Sequence, residues 1–192
     1  GYFADGPWSH YAFKKILNNE SVIIKFVCGR FNSTDKILKK LAKDENIPFF
    51  TLKNVNDMKS LQKFKKFNCD IFVSMSFNQI FQKKIFKLPK LGIINCHAGK
   101  LPFYRGRSVL NWVLINGEND FGITVHYVNH EIDKGDIILQ KIFKIKKNDD
   151  YKTLLEKSYL QCGKLLNRAI NKILNNDVKL IVQKSIDKKG SY

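Results

Sequence analysis

The strongest constraint in this sequence is an alternation. Short β-rich or apolar runs at residues 21–28, 48–51, 70–75 and 92–97 are separated by stretches with helical spacing at 34–43, 57–67 and 78–86. Strands buried on both faces read as near-continuous hydrophobic runs, and helices inserted between them cover a parallel sheet. The first half is therefore expected to be α/β, a mostly parallel sheet with helices on both faces. Ser33 or Thr34 is the expected N-cap of the helix over 34–43. Residues 1–8, Gly-Tyr-Phe-Ala-Asp-Gly-Pro-Trp, read as a glycine-containing loop opening a helix over 8–17. In an α/β sheet such a loop follows the first strand. That strand is expected to be missing from this sequence, and a tail is expected beyond Tyr192.

The second half changes style. Residues 108–115 read as a helix closed by Asn116-Gly117, a good C-terminal stop. Two strands, 121–128 and 136–145, flank the loop 129–135. Asp149 or Asp150 then opens a long amphipathic helix to about Leu174. Its core stripe is expected at Leu155, Tyr159, Cys162, Leu166, Ile170 and Ile173, and Trp112 is expected in the core. The whole reads as one domain over residues 1–192, with 148–192 supplying the C-terminal helix and the start of a tail.

Composition removes several classes. At 192 residues with 44% hydrophobic side chains and only 11 Gly and 4 Pro, the chain builds a real core and is neither collagen-like nor a long disordered segment. No apolar run is long enough to span a membrane. The first residues lack the pattern of an export signal, so the four cysteines, none in a C-x-x-C pair, read as reduced thiols in a cytoplasmic protein with no metal site. The excess of 34 Lys+Arg over 17 Asp+Glu gives +17. Such a charge attracts anions of every kind. The lysines are spread along the chain, and Lys and Asn both come from A/T-rich codons, so charge alone does not argue for nucleic acid over an anionic small substrate.

The chemically informative stretch runs from Gly92 to Asp136. Asn95 and His97 lie two apart at the carboxyl end of an apolar run, so both side chains face one side of a strand. In an open α/β sheet that end borders the ligand crevice. A carboxylate from the later loop, Asp133, could orient the imidazole or steady its charged form. An amide donor, an imidazole and a carboxylate suit acyl transfer to an amine: one group removes the amine's proton while another steadies the oxyanion. Cys96 faces the opposite way, which weakens it as a nucleophile. The same residue types also serve as hydrogen-bonded structural groups and turn formers, and spacing alone leaves both readings open.

The run Asn95-x-His97, Leu101-Pro102 with Gly106 following, and Asp133-x-Gly135 resembles the signature of the 10-formyltetrahydrofolate-dependent formyltransferases. The resemblance is specific over about residues 70–140 and follows only the general pattern in the flanks. It implies a Rossmann-like formyltransferase fold, with 10-formyltetrahydrofolate as co-substrate and no metal. By the same resemblance, Asn95 would hydrogen-bond the formyl oxygen. His97 would act as base or polarise the formyl group, and Asp133 would pair with His97 and help proton movement at the folate nitrogen. The pterin would lie along Met75, Ser76 and Phe77 and along the loop from Asn129 through Ile132.

Within the family, residues 102–107 (Pro-Phe-Tyr-Arg-Gly-Arg) and 111–118 look most like the branch acting on nucleotide-linked amino sugars for bacterial surface glycans. That branch often forms homodimers. The methionyl-tRNA branch commonly carries a Trp-Arg-Gly-Ala-Ala-Pro version, from which Tyr104 and Arg107-Ser108-Val109 depart. Arg105 or Arg107 would contact the substrate diphosphate, or else fix the loop through a salt bridge. Trp8 would stack on the sugar or nucleotide, or staple the first helix. Lys100 and Tyr104 are further phosphate or sugar contacts. His126, mid-strand, reads as a packed structural residue, and His10 and His130 have no assigned role. The rivals are methionyl-tRNA formylation and, in another class, a non-catalytic basic nucleic-acid-binding module. No helix-turn-helix, zinc finger or RNA-binding strand motif supports the second.

Overall fold

The computed structural model describes all residues, 1–192. The chain forms two compact units, residues 1–95 and 96–192. Within the first unit the sheet order is Phe49–Thr51, Val27–Gly29, Tyr2–Ala4, Phe72–Met75 and Ile93–His97.

The first unit holds β1 (Tyr2–Ala4), α1 (Gly6–Leu17), β2 (Val27–Gly29), α2 (Lys36–Asp44), β3 (Phe49–Thr51), α3 (Met58–Lys66), β4 (Phe72–Met75) and most of β5 (Ile93–His97). Every ladder among its strands is parallel, as expected for apolar runs joined by helices. The strand expected to be missing is Tyr2-Phe3-Ala4 itself. It pairs with β2 on one side and β4 on the other, and all three residues are buried. Three residues are too few to show a strand period, and the following Gly-Pro gives the segment the look of a loop.

The other departures are local. Of the run 21–28 only Val27 and Cys28 lie in β2, because the ladder with β1 pairs Tyr2 with Val27 and leaves the earlier residues outside it. The N-cap of α2 is Asp35, whose carboxylate accepts from Leu38 N. It also accepts from Gly6 N at 2.7 Å, a second demand that neither Ser33 nor Thr34 meets. The helix expected over 78–86 reduces to a 3₁₀ turn at Ile85–Lys87. Side chains compete for that segment's backbone groups: Asn56 bonds both Ile80 O and Gln82 N, and Gln79 reaches back to Val55 N and Leu52 O. The core is strongly aromatic. Phe3 is fully buried and meets Phe26, Phe64, Phe72, Phe77 and Phe81, mostly edge to face.

The second unit holds the end of β5, α4 (Val109–Ile115), the antiparallel pair β6 (Asp120–Tyr127) and β7 (Ile137–Lys144), α5 (Tyr151–Leu174) and the short α6 (Gln183–Ile186). Asp150 caps α5 in a reciprocal capping box with Thr153. The buried stripe of α5 starts at Leu154 and Ser158, one residue ahead of the expected Leu155 and Tyr159, and then runs through Cys162, Leu166, Ile170 and Ile173 as expected. Trp112 departs further. It is 53% exposed, while Val109, Leu110 and Val113 supply the buried face of α4.

Candidate functional site

β5 carries Asn95 and His97, with Cys96 between them. Cys96 is buried the other way, its thiol against Cys162 O at 3.6 Å. The Cys162 thiol beside it has its pKa pushed well up by burial and by Cys96. Neither cysteine is a ready nucleophile.

The His97 side chain is buried, and each of its ring nitrogens has a defined neighbour. Nε2 lies 2.6 Å from Tyr104 O. A carbonyl only accepts, so in the neutral ring Nε2 carries the proton and Nδ1 the lone pair. Nδ1 faces Asp133 Oδ2 at 3.6 Å, beyond hydrogen-bond length but close enough for that charge to be felt. Burial is the main reason the His97 pKa falls below its ordinary 6.5, with Asp133 opposing it. The result is a neutral base whose free lone pair lies beside a carboxylate that steadies the ring once it is protonated.

Asp133 is held from several sides. Its backbone is left-handed (φ 53°), and Oδ2 accepts from Gly106 N at 2.8 Å. Oδ1 faces His126 Nε2 at 3.4 Å. Burial opposes its charge, yet the bond from His126, the charges of His97 and His126 and the Gly106 amide hold its pKa down to about 2. The expected pair is therefore a cluster of three, one carboxylate between two imidazoles. In sequence His126 reads as packing because it sits mid-strand. The signal that could have placed it is the short hairpin: β6 and β7 are paired up to His126 and Ile137, which brings His126 next to the loop carrying Asp133.

Two glycines are required here. A Cβ on Gly99 would sit 2.4 Å from His97 Nε2 and 2.5 Å from Tyr104 O, so only glycine lets that hydrogen bond form. A Cβ on Gly135 would sit 1.7 Å from Tyr127 O, which explains the Asp-x-Gly spacing at the foot of the hairpin. The loop after His97 is backed by β6 and β7: Thr124 Oγ1 donates to Gly99 O, and Gln140 Nε2 donates to Leu101 O and to Thr124.

The remaining expected residues divide. Tyr104 (φ 58°) gives its carbonyl to His97, while its hydroxyl donates to Glu118 and accepts from Asn116. With Lys100, Phe103, Trp112, Ser191 and Tyr192 it lines a cleft of about 330 Å³. Lys100 Nζ is paired with Asp120 at 2.9 Å. Arg105 is buried, and its guanidinium is committed to Gln183 Oε1 and Lys189 O. It fixes the loop, through an amide and a carbonyl rather than the expected salt bridge. Arg107 is exposed. Asn129 is half-buried and caps its own turn by accepting from Glu131 N, and Ile132 is 50% exposed.

In the first unit, Met75 is buried at the end of β4, and Ser76 (φ 56°) receives Arg30 on its carbonyl. The Phe77 ring packs on Phe3 and Phe81. Trp8 is half-buried in the first turn of α1. No group of three or more His, Cys, Asp or Glu side chains is arranged to hold a metal ion. No helix is long and apolar enough to cross a membrane.

Similarity to known proteins agrees with this geometry. The chain is 40% identical over 144 residues to the bifunctional polymyxin resistance protein ArnA of Wigglesworthia glossinidia brevipalpis, a match covering 75% of this chain and 22% of that protein. It is 36% identical over 146 residues to the methionyl-tRNA formyltransferase of Azobacteroides pseudotrichonymphae genomovar. CFP2, covering 76% of this chain and 45% of that one. The chain thus spans less than half the length of either relative. Among solved structures it resembles WlaRD, described as a sugar 3N-formyl transferase in the presence of dTDP and 5-N-formyl-THF. That match has a TM-score of 0.76 and 25% identity, and it covers all of this chain and 68% of that one. The Formyl transferase family matches residues 25–170, a span that contains Asn95, His97, His126 and Asp133, and the chain belongs to that family.

Proposed function

We propose that this chain is the catalytic domain, over residues 1–192, of a cytoplasmic N-formyltransferase that moves a formyl group from 10-formyltetrahydrofolate to the amine of a nucleotide-linked amino sugar. The observation that carries the chemistry is the placement of His97 Nδ1 beside Asp133 while Nε2 is held by the Tyr104 carbonyl. With the amine in place, Nδ1 takes the proton that the amine gives up as its nitrogen bonds the formyl carbon, the Asp133 carboxylate holds the resulting imidazolium, and the imidazolium gives that proton to the departing folate nitrogen as the old C–N bond breaks. Asn95, on the same side of β5, donates its amide to the formyl oxygen as charge builds there. When bound, the folate supplies an activated formyl carbon. The exposed Ile132 beside Asp133 offers an apolar surface to a flat pterin, with Asn129 shaping the loop and the backbone of Met75, Ser76 and Phe77 a further contact.

The acceptor reading is supported by the cleft that shares Tyr104 with His97. Aromatic walls from Phe103, Trp112 and Tyr192 suit a sugar or base, and Lys100 with the exposed Arg107 suits a diphosphate. Trp8 is a further stacking contact, and Arg105 positions the loop. The similarity to WlaRD favours a sugar acceptor. The +17 charge and the methionyl-tRNA formyltransferase relative favour the second reading, a methionyl-tRNA acceptor.

The test is to incubate the protein with 10-formyltetrahydrofolate and, in parallel, dTDP- and UDP-linked 3-amino and 4-amino deoxysugars and initiator methionyl-tRNA. Formylation of a sugar is the expected result. Formylation of methionyl-tRNA alone replaces the sugar reading with the second one. Free formate as the sole product from folded protein rejects both.

A further inference from the structure

Outside the segment that matches the family, at the start of α6, one buried amide side chain joins the two loops that serve His97. Gln183 is 2% exposed. Its Oε1 accepts from Arg105 Nε at 3.3 Å and from Arg105 Nη2 at 3.0 Å. Its Nε2 donates to Asp133 O at 2.7 Å and to Gly135 O at 2.8 Å. Arg105 lies between Tyr104, whose carbonyl fixes the His97 tautomer, and Gly106, whose amide fixes the Asp133 carboxylate. All four bonds of Gln183 therefore fall on the two loops whose separation sets the 3.6 Å gap between His97 and Asp133.

The neighbouring tail strengthens the link. Ser191 N donates to Pro102 O, Arg105 N donates to Ser191 O, and Arg105 Nη1 reaches Lys189 O. The other residues of α6 are exposed, and Gln183 is the one residue of that helix that is buried. A four-residue helix that buries a single glutamine does not contribute to an apolar core. Its buried atoms are polar, fully partnered and aimed at two loops.

We infer that Gln183 is a positioning residue: it sets the spacing of His97 and Asp133 by tying Arg105 to the carbonyls of Asp133 and Gly135. It touches neither reacting group and acts through the two loops. The inference rests on the formyltransferase reading only for its kinetic consequence. The geometric consequence is independent of substrate.

The experiment compares the full chain with Gln183→Met, which keeps length and burial but loses all four bonds, and Gln183→Glu, which keeps the Arg105 end and loses both donors. Folding is checked by circular dichroism and thermal melting. Imidazole ¹⁵N resonances are then recorded for all four histidines without any ligand. In Gln183→Met the expected result is a shift of the His97 and His126 resonances with those of His10 unchanged. In Gln183→Glu the same resonances shift, because the carbonyl end is lost there too. With a formylated acceptor in hand, kcat is expected to fall about tenfold or more while KM stays within about threefold, since misplaced groups cost rate rather than binding.

Unchanged His97 and His126 resonances in a folded variant overturn the inference, as does an unchanged kcat. Failure of both variants to fold assigns Gln183 to stability and also overturns it. If no acceptor is formylated, the proposed function fails separately, and the resonances alone decide the role of Gln183.

Discussion

Histidine meets aspartate at two places in the molecule, and the tighter contact is the structural one. In the first unit His10 Nε2 lies 2.6 Å from Asp35 Oδ2. Both oxygens of Asp35 are already serving backbone: one caps α2 through Leu38 N, and the other holds Gly6 N at the start of α1. These hydrogen bonds outweigh the cost of burial and lower the Asp35 pKa. In the second unit His97 and Asp133 stand 3.6 Å apart, the imidazole nitrogen facing the carboxylate is free to take a proton, and a second histidine shares the anion. The lesson is that closeness marks a staple, whereas a base needs a lone pair left open and a charge waiting beside it.

That contrast can be broken by substitution. His97→Asn is expected to lower turnover by about 10² to 10⁴, the range lost with a positioned general base, with folding retained on circular dichroism. His10→Asn is expected to leave turnover within about twofold. Equal losses in a steady-state assay of the two variants would erase the distinction. Gly99→Ala comes next. A Cβ 2.4 Å from His97 Nε2 forces either the ring or the Tyr104 carbonyl to move, and a fall in kcat of about 10² is expected from misplacement of that size. A variant with wild-type kcat would mean that the bond to Tyr104 does not set the tautomer used.

The pH dependence of stability sharpens the same comparison. The folded-state pKa of His97 lies below 6.5, so the unfolded chain takes up that proton first, and stability falls as pH drops below 6.5 toward the lowered value. Asp133 contributes stability that is complete above 3.8 and is lost as pH falls from there through about 2. Urea unfolding at a series of pH values is expected to show the first loss in the wild type and not in His97→Asn. The smallest effect belongs to Asp35→Ala. Loss of the cap is expected to cost about 1–2 kcal/mol by denaturant unfolding, with turnover changed by less than about twofold. A large loss of turnover there would make Asp35 more than a staple.

Much of the site was legible because it depends on local periodicity. Asn95 and His97 face one side of a strand wherever that strand pairs, since side chains alternate. Asp133-x-Gly135 was legible as spacing, and the structure supplies the reason in the contact of Gly135 with Tyr127 O. His126 and Gln183 were not legible. Each is polar and lies in a segment that reads as strand or tail, and each gains its role from partners brought near by the hairpin pairing and the tail. Trp112 was misplaced for the opposite reason. A large aromatic ring on a helical stripe is ordinarily core, but α4 buries Val109, Leu110 and Val113 and turns Trp112 toward the cleft.

The amino-acid sequence by itself determined most of the alternation of strands and helices, the start of α5 to within one residue and the side of β5 on which the imidazole lies, because these follow from hydrophobic period and short-range hydrogen bonding. Tertiary structure decided the rest. It made Tyr2–Ala4 a strand by giving it neighbours on both sides, and it fixed the His97 tautomer through a carbonyl seven residues away. It also placed one carboxylate between two histidines, and Arg105 against a tail residue 78 positions on. Those are contacts between groups distant in sequence, and no local pattern encodes a hydrogen bond whose partners meet only after the chain has folded.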